Sequence, residues 1–105
     1  MVTIQNYVRA KSLEEAYELN QKKGNCILGG MLWTKMQNRM IQTAIDLCDL
    51  GLNEIEETEE EFLIGAMVSL RQLETDTGLN AYTQGAVRDA VKDIVGVQFR
   101  NLATV

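Results

Sequence analysis

The sequence predicts an α+β fold in which short strands and short helices mix without a regular strand–helix–strand period. Three observations lead there. Ser12-Leu13-Glu14-Glu15 and Ser69-Leu70-Arg71-Gln72 both place a Glu or Gln three residues after a serine, the spacing of a helix capping box. Cys26-Ile27-Leu28 and Thr43-Ala44-Ile45-Asp46-Leu47 are apolar runs of strand length. Residues 55–58 and 62–67 flank a polar turn, as the two arms of a hairpin do.

Taken in order, the first marked element is a helix over 12–23. The Ser12 hydroxyl accepts from the Glu15 amide, Leu13, Ala16 and Tyr17 share a face, and Lys22 and Lys23 complement the dipole in the last turn. Gly24 then stops the helix in the left-handed conformation. Cys26-Ile27-Leu28 reads as a buried strand running into a tight turn at Gly29-Gly30, and residues 43–47 as a second strand. After the hairpin, Ser69 opens a short helix. Tyr82, Ala86, Val87, Ala90, Val91, Ile94 and Val95 recur at helical spacing, with Arg88, Asp89, Lys92 and Asp93 on the other face, which predicts an amphipathic helix over 82–95. A seam is expected near Gly51-Leu52-Asn53, dividing the chain into residues 1–53 and 54–105. Residues 97–105 are apolar-rich and carry no closing signal.

Composition excludes several classes of function. With 15 acidic against 10 basic residues, the net charge of −5 disfavours a general nucleic-acid binder, which needs a basic face to meet phosphates. Much of the acid lies in residues 54–61, which reads as a solvated strand edge or loop. There is no histidine, so the commonest general base and metal ligand is missing. Cys26 and Cys48 form no CxxC pattern and read as small core residues, with no disulfide framework or metal site. The start, Met1-Val2-Thr3-Ile4, is not a signal peptide, and no apolar run reaches membrane-spanning length, so the chain reads as cytoplasmic.

Few residues suggest chemistry by themselves. Gly29-Gly30 after a strand permits close backbone approach to a ligand and an anion-binding nest of amides, but a plain tight turn uses the same residues. The pair is not GxGxxG and implies no Rossmann site. Met31, Trp33, Met36 and Met40 can flank a flat cofactor or fill a core or interface. Tyr7, Tyr17 and Tyr82 read as packing residues, and no nucleophile has a visible base.

In order, these pieces resemble the FAD-binding domain of the xanthine dehydrogenase and carbon monoxide dehydrogenase medium-subunit family, the molybdopterin dehydrogenases. Tyr7-Val8-Arg9-Ala10-Lys11-Ser12-Leu13-Glu14-Glu15-Ala16 is similar to that family's opening segment and first helix, and Ile27-Leu28-Gly29-Gly30 to its first phosphate loop. Ala44-Ile45-Asp46-Leu47 and Leu63-Ile64-Gly65-Ala66 resemble its strands, and Ser69-Leu70-Arg71-Gln72-Leu73-Glu74 its next helix. Residues 97–105 resemble the approach to its second flavin loop. The resemblance implies the N-terminal portion of a PCMH-type FAD-binding domain, with a first FAD-binding subdomain in 1–53 and the incomplete start of a second in 54–105.

It further implies an oxidoreductase in which electrons leave a molybdenum cofactor, cross iron–sulfur clusters and reach FAD, then an acceptor such as NAD. Molybdopterin and iron–sulfur subunits or domains are the implied partners. Leu28, Gly29, Gly30, Met31 and Leu32 are the implied pyrophosphate contacts, Ile94 flanks the flavin or adenine, and Thr104 and Val105 begin the second loop. None is an acid–base catalyst.

Two departures qualify these implications. The family follows its first glycine pair with a threonine and an acidic residue, where this sequence has Met31-Leu32-Trp33. The family also follows Ala-Thr-Val with another glycine pair, where the sequence stops at Val105. The expectation is a fragment cut inside the site, which purifies without FAD and self-associates through exposed core surface, while the full-length protein retains FAD. The rival reading is a non-catalytic subunit-interaction module that has lost FAD.

Overall fold

The computed structural model describes residues 1–105. The chain forms two compact units, Met1–Gly51 and Leu52–Val105. In the first, strands β1 (Thr3–Arg9), β2 (Cys26–Leu28) and β3 (Met40–Asp46) form a parallel sheet in the order β1-β3-β2, and helix α1 (Leu13–Asn20) connects β1 to β2. The central strand β3 buries Ile41, Ala44 and Ile45, residues of both alternation parities. That pattern suits a parallel strand covered on both faces. Leu28, Ile41 and Ala44 form a core cluster, with Val2, Cys26 and Met31 packed against it.

Strand β3 begins earlier than its apolar run suggested, because Met40 and Ile41 pair with Thr3 and Ile4. Strand β1 itself was not anticipated. Its side chains are almost all exposed, so it carries no core-facing alternation, and its conformation comes from its pairing with β3.

Helix α1 starts as predicted, with Ser12 Oγ accepting from the Glu15 amide at 3.1 Å. It ends early, at the right-handed cap residue Gln21, so Lys22 and Lys23 lie beyond it and no basic residue occupies its last turn. Gly24 is not left-handed. Its role is close approach: a Cβ there would sit 2.5 Å from Gln42 Oε1, and its carbonyl accepts from the Gln42 amide at 2.8 Å.

In the second unit, β4 (Ile55–Glu57) and β5 (Phe62–Ile64) form the predicted antiparallel hairpin. The acidic residues of its arms and turn are all exposed, as a solvated edge requires. Helix α2 (Leu70–Thr75) carries a complete capping box: Ser69 Oγ accepts from the Gln72 amide, and the Gln72 side chain accepts from the Ser69 amide. Val68, Leu73 and Leu79 form the core, joined by Ile55, Phe62, Leu70 and Val87.

The single helix expected over 82–95 is instead two, α3 (Thr77–Tyr82) and α4 (Ala86–Val91). A Schellman-type stop separates them. The Gly85 amide donates to the Asn80 carbonyl and the Gln84 amide to the Ala81 carbonyl, with both Gln84 and Gly85 at positive φ. Buried Asn80 reinforces the break. Its Nδ2 donates to the carbonyls of Leu73, Glu74 and Asp76, while its Oδ1 accepts from the Arg88 amide in the first turn of α4. Of the predicted apolar stripe, Val91 is buried and Val87 packs on the core, but Tyr82, Ile94 and Val95 are exposed.

A fifth helix, α5 (Val97–Leu102), occupies the segment expected to be an approach to a loop. After it, Thr104 forms an antiparallel bridge with Ser69, flanked by bonds from the Leu70 amide to the Ala103 carbonyl and from the Val105 amide to the Val68 carbonyl.

The two cysteines and the three tyrosines, expected as packing residues, are mostly at the surface. Cys48 is exposed, and only Cys26 contributes to a core. Tyr7, Tyr17 and Tyr82 are exposed; Tyr82 does lean on Phe62, with ring centroids 5.8 Å apart.

Candidate functional site

Parallel strands deliver their carboxyl ends to one edge of a sheet, where ligands of open parallel sheets bind. In the first unit Arg9, Asp46 and Leu28 lie in register at that edge: Arg9 pairs with Asp46, and Asp46 with Leu28. The chain continues from Leu28 into the Gly29-Gly30 turn.

This loop is anchored at both ends. Leu28 and Leu32 are buried, Met31 packs against the core, and Gly29 lies exposed between them. Met31 has φ 66°, in the left-handed region that side chains rarely adopt. A 3₁₀ turn over Thr34–Met36 follows, in which the carbonyls of Met31 and Trp33 accept from the amides of Lys35 and Met36, each at 3.1 Å. The amides of residues 29–34 donate no hydrogen bond within their own unit. Backbone amides require partners, and a run of donors without one in its own unit, beside a glycine pair, suits an anion with several acceptor oxygens. Trp33, Met36 and Met40, expected as core, interface or cofactor-flanking residues, are exposed, Trp33 to 65%.

Beside the loop, at the ends of β1 and β3, lies a polar network that the sequence reading did not identify. The Tyr7 hydroxyl donates to Asp46 Oδ2, and the Cys48 amide donates to Asp46 Oδ1 at 2.9 Å. Arg9 Nη2 pairs with Asp49 Oδ1 at 2.6 Å. Burial pushes the Asp46 carboxyl up, but the bonds from Tyr7 and Cys48 and the charge of Arg9 outweigh it and hold it below the usual value. The same hydrogen bond raises the Tyr7 hydroxyl, and burial followed by Asp46 raises the Cys48 thiol. At neutral pH the cluster therefore presents a carboxylate, a neutral phenol and a neutral thiol, and contains no activated nucleophile.

These shifts carry a pH dependence. A depressed folded-state pKa contributes stability that is present above the unfolded value, about 3.9 for Asp, and lost as pH falls through the folded value. Tyr7→Phe is expected to move the Asp46 titration back toward its ordinary value, read by carboxyl NMR. An unchanged midpoint would show that the phenol does not set it.

Leu28, at the end of β2, and Gly29, Gly30, Met31 and Leu32 after it form one continuous segment of the first unit. Ile94, Thr104 and Val105 belong to the second. Ile94 sits exposed in the turn after α4, its amide donating to the Val91 carbonyl. Thr104 is half-buried in its bridge to Ser69, and Val105 is exposed. No group of three or more His, Cys, Asp or Glu side chains is arranged to hold a metal, and no helix is long and apolar enough to cross a membrane.

The second unit also contains a buried ion pair that no local pattern announces. Glu74 on α2 and Arg100 on α5 are each 6% exposed. Arg100 Nε approaches Glu74 Oε1 to 2.9 Å, although neither atom completes an aligned hydrogen bond. Arg71 Nη1 donates to Glu74 Oε2, and Arg100 Nη1 donates to the carbonyls of Ile94 and Val95.

The family described as the FAD binding domain in molybdopterin dehydrogenase matches residues 2–105. Among solved structures, the carbon monoxide dehydrogenase from Hydrogenophaga pseudoflava that lacks the Mo-pyranopterin moiety of its molybdenum cofactor superposes with a TM-score of 0.82 at 26% identity. That match covers 94% of this chain and 37% of that one. A cyanide-inactivated Cu,Mo-CO dehydrogenase matches with a TM-score of 0.81 at 24% identity, covering 100% of this chain and 39% of that one. Quinoline 2-oxidoreductase from Pseudomonas putida 86 shares the fold, with a TM-score of 0.81 at 18% identity, covering 97% and 37% respectively. The chain thus spans well under half the length of these structures. No curated protein sequence matches it.

Proposed function

Since the chain belongs to the family of FAD-binding domains in molybdopterin dehydrogenases, we propose that it holds FAD in a cytoplasmic oxidoreductase of the molybdenum hydroxylase type. FAD is the cofactor of the full-length protein. Bound there, it supplies the redox chemistry by which electrons from iron–sulfur clusters pass to an acceptor such as NAD; the chain's own part is binding and electrostatics. Subunits or domains carrying molybdopterin and iron–sulfur clusters are the proposed partners.

The observation that carries this reading is the run of amides over residues 29–34, free of hydrogen bonds within their unit and adjoining the glycine pair. Leu28 and Leu32 anchor that run, and Gly29, Gly30 and Met31 would present its first donors to the pyrophosphate. Amide donors do not depend on the side chain, so exchanging the family's threonine and acidic residue for Met31 and Leu32 removes two polar groups but leaves the backbone donors. Ile94 would flank the flavin or adenine, and Thr104 and Val105 would open the second loop. Residues 1–53 and 54–105 then serve as parts of two FAD-binding subdomains.

Exposed Trp33, Met36 and Met40 favour a second reading, an interaction module without FAD. Flavin content of the full-length protein separates the two. We expect it to purify yellow, with a flavin absorption band and about one FAD per chain. A folded protein that binds no FAD when supplied in excess would select the interaction module.

A further inference from the structure

We propose that Arg100, fixed by Glu74, is a positioning residue that holds the Ile94–Gly96 turn and the 103–105 segment in their binding arrangement before FAD arrives. The inference rests on the flavin reading for Ile94, Thr104 and Val105, but its structural half does not.

The two charged side chains, 7% exposed at Glu74 and 8% at Arg100, have lost most of their hydration, and a buried ion pair is often no more stabilising than a well-packed apolar pair of similar volume. The pair therefore needs another explanation than stability, and its remaining bonds supply one. Arg100 Nη1 donates to the carbonyls of Ile94 at 3.2 Å and Val95 at 3.1 Å. Val95 has φ 51°, a conformation a β-branched residue adopts only when its surroundings impose it. A planar guanidinium can face a carboxylate along one edge and two carbonyls along another, and an ammonium cannot.

The base of the clamp is itself fixed. The Glu74 main-chain carbonyl accepts from Arg88 Nε and Asn80 Nδ2, both at 3.2 Å, and Arg71 holds the second carboxylate oxygen. Arg100 thus ties α5 to α2. The turn at its start bears Ile94. The segment after its end bears Thr104 and Val105, which bridge to Ser69 and Val68 beside the start of α2. One buried side chain thereby sets the positions of both parts of the proposed half-site in this unit.

The test compares wild type with Glu74→Leu/Arg100→Met and with Arg100→Lys in the full-length protein. The double variant removes both charges together, so no unpaired charge remains to unfold it. Amide hydrogen exchange without cofactor is read at Phe99, Arg100 and Val105, whose amides bond to Gly96, Gly96 and Val68. The FAD dissociation constant is measured separately by fluorescence.

We expect the double variant to melt within a few degrees of wild type, while exchange at these amides and the dissociation constant each rise at least ~10-fold, corresponding to about 1.4 kcal/mol. Arg100→Lys keeps the charge but not the two carbonyl bonds, and should raise both quantities as well; it also decides the matter should the double variant fail to fold. Wild-type exchange and affinity in either folded variant would overturn the proposal and leave the pair a packing feature. If wild type binds no FAD, the flavin reading fails and the exchange measurement still decides whether Arg100 holds the turn.

Discussion

Replacing Gly30 with valine is expected to weaken FAD binding by the full-length protein on the order of 10²–10⁴-fold while shifting its melting temperature by only a few degrees. Gly30 is only half-buried and immediately precedes Met31, which already occupies the left-handed region. A β-branched side chain there restricts the backbone and adds bulk where the amides must approach a pyrophosphate. Loss of two charge-assisted hydrogen bonds, at roughly 1.5–3 kcal/mol each, accounts for the range. Because Leu28 and Leu32 anchor the loop by burial, its tip can change without unfolding the sheet. Fluorescence titration measures the affinity and thermal melting the stability. Affinity within threefold of wild type would mean that the loop is not the phosphate cradle.

The largest stability effect is expected at another glycine. Gly65→Ala should destabilise the second unit by roughly 3 kcal/mol. A Cβ there would lie 2.0 Å from the Leu52 carbonyl oxygen and 2.5 Å from its carbon, both main-chain atoms that cannot rotate away. The Gly65 amide is also committed, donating to the Glu54 carbonyl at 3.0 Å. Gly51→Ala is the informative comparison. Gly51 has φ 67° but nothing within 4 Å of an added Cβ, so only left-handed strain applies, about 1–2 kcal/mol. Urea denaturation of the two variants separates steric exclusion from backbone strain. If Gly65→Ala costs no more than Gly51→Ala, the close approach at Leu52 is not a rigid feature of the fold.

What the sequence made legible was local. Both serine caps lie within three residues of their partners, and both helices start where those caps direct. The hairpin and the strand at residues 26–28 were likewise visible, since their apolar runs are bounded by turn residues. Strand β1 was not, because its order comes from partners on β3 and its exposed faces leave no periodicity. The helix over 82–95 failed for a related reason. Its apolar spacing is genuine from Val87 to Val91, but the stop at Gln84-Gly85 and the buried Asn80 cut it, and Asn80 makes its bonds across three helices. At the candidate site, the glycine pair marked a tight turn by itself and a phosphate loop only with the family resemblance beside it. The Tyr7–Asp46 bond and the Glu74–Arg100 pair join residues far apart in the chain, and neither partner carries a local mark of the other.

The parallel order β1-β3-β2 has a consequence for how the chain acquires its structure. Thr3 pairs with Met40 and Arg9 with Asp46, so the first strand must wait for a partner at the far end of its own unit. The loop entropy of that long separation is lost before any hydrogen bond is gained. In the second unit, Glu57 pairs with Phe62 across a short turn, and three of its helices follow one another closely. That hairpin can close locally, whereas β1 has no strand partner until β3 forms. Until then its row of free amides and carbonyls is open to pairing with another chain.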